Sequence, residues 1–132
     1  MHNGKDEKSK AVIIEKSTVE DIHEGIDKSV AQIIVELIEY IPNSVLSKTI
    51  MKKTTGNVTV VSFDTGEALT EKISPFDTFI QIIEGRAEII IDKNSNCLEC
   101  GQGIIIPAHS SHIVKANGRF KMTQTVIKSG YE

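Results

Sequence analysis

The side chains of greatest chemical reach in this 132-residue chain include four histidines and two cysteines three positions apart. His109 and His112 are close enough in sequence to share a site. Either both line the mouth of a pocket, or His112 points inward and His109 sits on a surface loop; the second arrangement is the commoner one. Cys97-Leu98-Glu99-Cys100 has the string of a redox or zinc half-site. Zinc takes four ligands, and the sequence offers neither a second Cys pair nor an adjacent His pair. A redox pair at this spacing usually opens a helix, whose N-terminus lowers the thiol pKa. Here the pair runs into Gly101 in a turn-rich region, so both cysteines are read as structural. Ser110-Ser111-His112 sets Ser beside His, but adjacency in sequence is not a triad. With no phosphate-binding loop, dinucleotide fingerprint or nucleophile elbow, no catalytic residue is assigned.

Composition narrows the partners. Apolar residues make up 39% and charged residues 25%, the profile of one globular domain at this length. A net charge of −3, no Trp and only two Tyr leave little for nucleic acid to grip. The opening MHNGKDEKSK lacks the apolar core of a signal peptide. Val30–Ile41, the longest apolar stretch, is broken by Gln32, Glu36 and Glu39 and falls short of the roughly 20 residues that cross a bilayer. The expectation is a cytoplasmic protein with no membrane partner and reduced cysteines.

The elements that must position any site come next. Residues 1–28 read as an N-terminal arm, partly disordered, and 29–132 as a single barrel domain with a leading helix. Within the arm two readings stay open: a short strand over Ala11–Ile14, or a helix starting near Thr18 on the capping-box spacing of Ser17-Thr18-Val19-Glu20. Ile33, Ile34, Leu37, Ile38 and Ile41 recur at helical spacing, which predicts a helix over about 30–39 that ends at Pro42. After Pro42 short runs rich in Val, Ile, Thr and Phe alternate with Gly, Asn and Asp turns. Strands are expected at Val45–Lys52, Asn57–Phe63, Ala68–Ile73, Thr78–Ile83, Ala87–Ile91, Ile104–Ile106, His112–Lys115 and Phe120–Ile127. About eight strands in such a span, with no second long helix, indicate an all-β jelly roll or small barrel.

Two segments go beyond composition. The first runs from Gly66 through LTEKISPFDT to Glu84-Gly85, and the second is GQGIIIPAHSSH, Gly101–His112. Gly66 and Gly85 bracket the first; Gly101, Pro107 and His112 fall at fixed spacing in the second. Together they resemble the two motifs of the cupin family, in order and in register, over about Ile41 to Lys128. The resemblance implies a cupin-type jelly-roll barrel. It also implies where a metal would be held, since the family's usual site takes three His and one Glu from these motifs. Carried over position by position, the ligand places here are Lys72, Ser74, Thr78 and His112. Three of the four ligands are gone, and an ammonium beside a divalent cation repels it.

The expectation is therefore a cupin-like binding module without metal or other cofactor. Its interior would be mostly apolar, from alternating Thr78, Ile80, Ile82, Ala87, Ile89, Ile91, Phe120, Met122 and Gln124. Lys72, Ser74, Thr78, His112 and Met122 are the candidate ligand-binding residues, suited to a small anionic or amphipathic metabolite. Asp77 is the candidate ion-pair partner of Lys72. Two alternatives stand beside this: a cupin enzyme of oxygenase or isomerase type with an unconventional metal site, or a structural or regulatory dimer with a filled barrel. Small relatives usually pair, so a homodimer is expected, with helix 30–39 as its seam.

Overall fold

The computed structural model describes residues 12–13 and 25–130. Among these residues ten strands make two antiparallel sheets. They are β1 Val12–Ile13, β2 Val45–Lys53, β3 Gly56–Phe63, β4 Ala68–Ile73, β5 Asp77–Glu84, β6 Arg86–Ile91, β7 Asn94–Glu99, β8 Gly103–Ile106, β9 Ser111–Lys115 and β10 Phe120–Ile127. The six-stranded sheet has the order β1-β2-β3-β10-β5-β8, and the four-stranded sheet β4-β9-β6-β7. Successive strands cross between sheets, so each sheet mixes strands from distant parts of the chain. This is the all-β jelly roll that the strand spacing implied.

Alternation along the strands fills the space between the sheets. Ile80 and Ile82, Ala87 and Ile89, and Phe120 and Met122 all point inward and are buried with Phe63, Ile106 and Val114. The rings of Phe63 and Phe120 stack at 4.5 Å between centroids, with planes 12° apart. The chain passes from β5 in one sheet to β6 in the other at Gly85, at φ +76°. A Cβ there would sit 2.4 Å from the Arg119 carbonyl oxygen, so only glycine fits.

Eight strands fall within two residues of their expected bounds. β7 was not foreseen: Asn94-Ser95-Asn96 has weak strand propensity and reads as a continuing turn. The chain reverses in only two residues, Asp92 and Lys93, both at positive φ, and β6 then pairs with the whole of Asn94–Glu99. Pairing overrode propensity. Cys97 and Cys100 are free and exposed, with Cys97 inside this strand and not at a helix start.

The helix expected over 30–39 does not form. Only Ile34–Glu36 makes a single 3₁₀ turn. Val30, Ile33, Ile34 and Val35 are β-branched and poor helix formers. Ser29 sits at φ 63°, the left-handed region, instead of the extended conformation of an N-cap. Backbone carbonyls that a helix would use internally are taken by the sheet: Lys121 Nζ donates to Val35 O at 2.7 Å and Ser62 Oγ to Glu39 O at 2.7 Å. Ile34, Leu37 and Ile38 still bury, against Leu46 and Val60 on the outer face of the six-stranded sheet. Ile33, at 61% exposed, faces away, so the expected single apolar helix face does not form. Tyr40 pins the end of the segment. Its hydroxyl donates to Glu84 at 2.6 Å, and Arg119 and Lys121 lie 5.1 and 5.0 Å from its ring centre.

In the arm, Val12–Ile13 pairs antiparallel with Ser47 and Leu46 of β2, the strand reading for Ala11–Ile14. The helix considered near Thr18 lies outside the described residues, as does most of the stretch read as disordered. No helix among the described residues is long and apolar enough to cross a membrane.

Two substitutions separate core packing from the clamp on the segment. Phe120→Ala is expected to cost about 3–5 kcal/mol by urea unfolding. Ser62→Ala is expected to cost about 1 kcal/mol, because Glu39 O loses its donor. Unchanged stability at Ser62 would mean that something else holds 35–39 against the sheet.

Candidate functional site

β4 and β9 lie side by side in the four-stranded sheet, with Lys72 directly opposite His112 and Ile73 opposite Ser111. The register shifts between Leu69 and Lys72, so a bulge re-aims the end of β4. Beyond Ile73 the chain turns. The Ser74 hydroxyl accepts from Phe76 N at 3.1 Å, and Ser74 O accepts from His109 N at 2.6 Å. Asp77 Oδ1 accepts from Ala108 N at 2.8 Å, tying the 107–110 turn to the start of β5. The two motif segments are thus laced together by their backbones.

These elements enclose a cavity of about 250 Å³ at one end of the barrel. Lys72, Ile73 and Ser74 line it from β4 and the following turn, His112 from β9, and Thr78 from β5. The opposite wall comes from the six-stranded sheet: Ser47 of β2, Thr59 and Val61 of β3, and Gln124 and Val126 of β10. Four of the five expected site residues therefore meet on one cavity. Met122 does not. It is fully buried in the packed half of the barrel, among Phe63, Ile82 and Phe120.

Among the described residues that line it, only Lys72 and His112 titrate near neutrality or carry charge, and none is a carboxylate. Burial, followed by the Lys72 ammonium, holds the His112 pKa below its usual 6.5, with the Ser110 backbone opposing the shift. The imidazole is therefore neutral at pH 7, and its buried Nδ1 makes no hydrogen bond. Lys72 is exposed at the mouth and His112 half-buried behind it. A ligand entering here meets a positive charge first, then a neutral imidazole, then hydroxyls and aliphatic walls.

The place where the resemblance implies a metal can be judged by its donors. Lys72, Ser74 and Thr78 supply an ammonium and two hydroxyls where three strong ligands would stand, and one imidazole remains. Hydroxyls are weak ligands for the ions such barrels hold, and the ammonium opposes a cation outright. Of the acidic residues that flank these positions in sequence, Glu71 accepts the Ser111 hydroxyl, and Asp77 accepts Ala108 N. Asp77 is thus a brace between two turns. His109 lies exposed on the 107–110 turn at φ 68° and does not line the cavity. Among the described residues no three His, Cys, Asp or Glu side chains come together. The donor set does not fit a divalent metal.

Ser47, Thr59 and Gln124 were not among the expected site residues. Gln124 was read as inward by alternation, but nothing in sequence tied the far sheet to the two motifs. The polar breaks in otherwise apolar inward runs, Ser47 in β2, Thr59 in β3 and Gln124 in β10, are the signal that could have found them.

Solved structures share this architecture. A conserved protein of unknown function from Streptococcus pyogenes superposes with a TM-score of 0.76 at 28% identity, over 81% of this chain and 94% of that one. A cupin superfamily protein from Desulfitobacterium hafniense gives 0.72 at 28% identity, over 81% and 97%. A cupin 2 conserved barrel domain protein from Leptotrichia buccalis gives 0.69 at 26% identity, over 71% of this chain and 46% of that one. No family profile and no curated protein matches the chain. Shared fold, near-full coverage of the small neighbours and the two motifs in register agree: the chain has the cupin fold and is similar to small cupin superfamily proteins.

Proposed function

We propose that this cupin is a metal-independent binding module for a small organic anion. The observation that carries the reading is the Lys72–His112 pair, set across β4 and β9 on the wall of a cavity whose described lining residues include no carboxylate. Lys72 supplies a fixed positive charge to a carboxylate. Ser47, Thr59, Thr78 and Gln124 supply hydrogen bonds, and Val61, Leu69 and Val126 an apolar wall. A space of 250 Å³ equals about eight waters at roughly 30 Å³ each, so the ligand is small. A carboxylate of some three to six carbons with an aliphatic or hydroxylated body matches these walls. The packed half of the barrel, around the Phe63–Phe120 stack, serves as the floor.

A panel of small carboxylates tests the reading by thermal shift and calorimetry. At least one is expected to raise the Tm, and Lys72→Ala is expected to weaken its binding tenfold or more, about 1.4 kcal/mol. No shift across the panel, or binding indifferent to Lys72, would sink the proposal.

The pH dependence has a defined sign. The folded state resists protonating His112, so the unfolded chain takes up that proton first as the pH falls. The associated stability is complete above about pH 7 and is lost as the pH drops through 6.5 towards the lower folded value. Urea unfolding from about pH 7.5 to 5 is expected to show a shallower decline for His112→Gln than for the parent chain. A bound anion reverses the electrostatics, so carboxylate affinity is expected to rise over the same range with proton uptake.

Restoring the family's ligands offers a third test. Lys72→His, Ser74→His and Thr78→Glu together rebuild the full donor set around His112. The triple variant is expected to retain nickel or zinc through desalting and to lose carboxylate binding. Failure to hold metal despite a folded barrel would show that the positions do not converge as described.

A further inference from the structure

The end of the barrel away from Lys72 holds another, larger cavity, of about 530 Å³. The cavity around Lys72 meets β5 near its start, at Thr78, and β10 near its end, at Gln124. The larger one lies at the other ends of the same two strands, at Gly85 just past β5 and Arg119 just before β10. Ile82, Phe120 and Met122 are buried between the two. A small ligand in one does not reach the other.

Gly85 brings the walls of this cavity together. Its missing Cβ, which would lie 3.0 Å from the Phe120 Cβ, lets the β9–β10 turn lie directly against the start of β6. Arg86 and Arg119, far apart in the chain, therefore border one space. The Arg119 guanidinium is already oriented. Its Nε donates to Asp64 Oδ1 at 2.8 Å, and its central carbon lies over the Tyr40 ring, 5.1 Å from the centroid. Asp64 also accepts Asn43 N at 2.7 Å, which fixes the carboxylate and the guanidinium with it. A guanidinium carries five N–H donors, so a bond through Nε leaves both terminal NH₂ groups for another acceptor. Arg86 is exposed and stands opposite Glu99 in the β6–β7 ladder, with no ion pair joining them among the described residues. Glu88, two positions along the same face of β6, accepts from the Ser95 hydroxyl at 2.7 Å and from Asn117. None of the described residues lining the cavity is a carboxylate. In a chain of net charge −3, this is a local reversal of sign.

We propose that this cavity binds the phosphate group of a small phosphomonoester. Two guanidiniums balance a dianion, and each can present parallel N–H donors to a pair of its oxygens. A space of 530 Å³ equals about eighteen waters at roughly 30 Å³ each, several times what phosphate alone fills. The remainder takes an organic body, against Ala87 and Asn117. The Lys72 cavity differs in kind, since one ammonium among hydroxyls suits a singly charged carboxylate. Cys97, exposed and on the wall beside Arg86, reports occupancy.

The test uses the full chain carrying Cys100→Ser, which leaves Cys97 as the sole thiol. Calorimetry in about 0.15 M chloride, where loose surface attraction is screened, compares glycerol phosphate, inorganic phosphate and glycerol. Glycerol phosphate is expected to bind, inorganic phosphate to bind more weakly, and glycerol not to bind. At about ten times its Kd, glycerol phosphate is expected to slow alkylation of Cys97 by neutral iodoacetamide about tenfold. Arg86→Gln, at an exposed position, is expected to weaken binding about tenfold or more. Lys93→Gln removes the same charge at the far end of β6 and is expected to leave binding unchanged. These readouts do not involve Lys72, so they stand or fall apart from the carboxylate reading. No binding of glycerol phosphate, inorganic phosphate held as tightly as the ester, or binding indifferent to Arg86→Gln would each overturn the proposal. So would binding that leaves Cys97 fully reactive, and that result decides alone if Arg86→Gln does not fold.

Discussion

Across β4 and β9 an ammonium group faces an imidazole, and that pairing constrains everything the cavity can do. A unit charge and a divalent ion about 5 Å apart repel by roughly 7 kcal/mol at an effective dielectric near 20. A donor set of one imidazole and two hydroxyls has little with which to offset such a cost. The same charge, with burial, keeps His112 neutral. The site therefore holds a cation of its own where the fold elsewhere recruits one.

The barrel is built to hold that pair in place. One half of the space between the sheets is closely packed around Phe63, Ile80, Ile82, Phe120 and Met122. The other half stays open because Ser47, Thr59, Thr78 and Gln124 interrupt the apolar pattern, and polar groups there stay paired or hydrated better than they would in a dry core. The turn of Ser74 and the turn of His109 are bonded backbone to backbone, and Asp77 braces the second of them. Side chains on such laced turns can be replaced without moving the wall.

Much of this was legible in the residues, for identifiable reasons. Strand positions followed from β-branched runs and turn residues, and the two motifs set Lys72, Ser74, Thr78 and His112 on one cavity. Met122 was misplaced because alternation tells inside from outside but not one end of a barrel from the other. The 30–39 segment misled because helical spacing is also satisfied by an irregular stretch that buries Ile34, Leu37 and Ile38 on a sheet. Its backbone carbonyls go to Lys121 and Ser62, partners more than twenty residues away that no local pattern reveals. Lys48 and Lys121 are both buried, against every compositional expectation for lysine. Lys121 is stabilised by a carbonyl, a carboxylate and an aromatic ring, all contributed by other elements.

The proposed function has a resident ammonium in the place of a metal ion. Elemental analysis of the chain, produced without a histidine tag and dialysed against metal-free buffer, tests it most directly. The account predicts iron, manganese, nickel and zinc each far below one equivalent per chain. One tightly held equivalent of any of them, lost on His112→Ala, would contradict it.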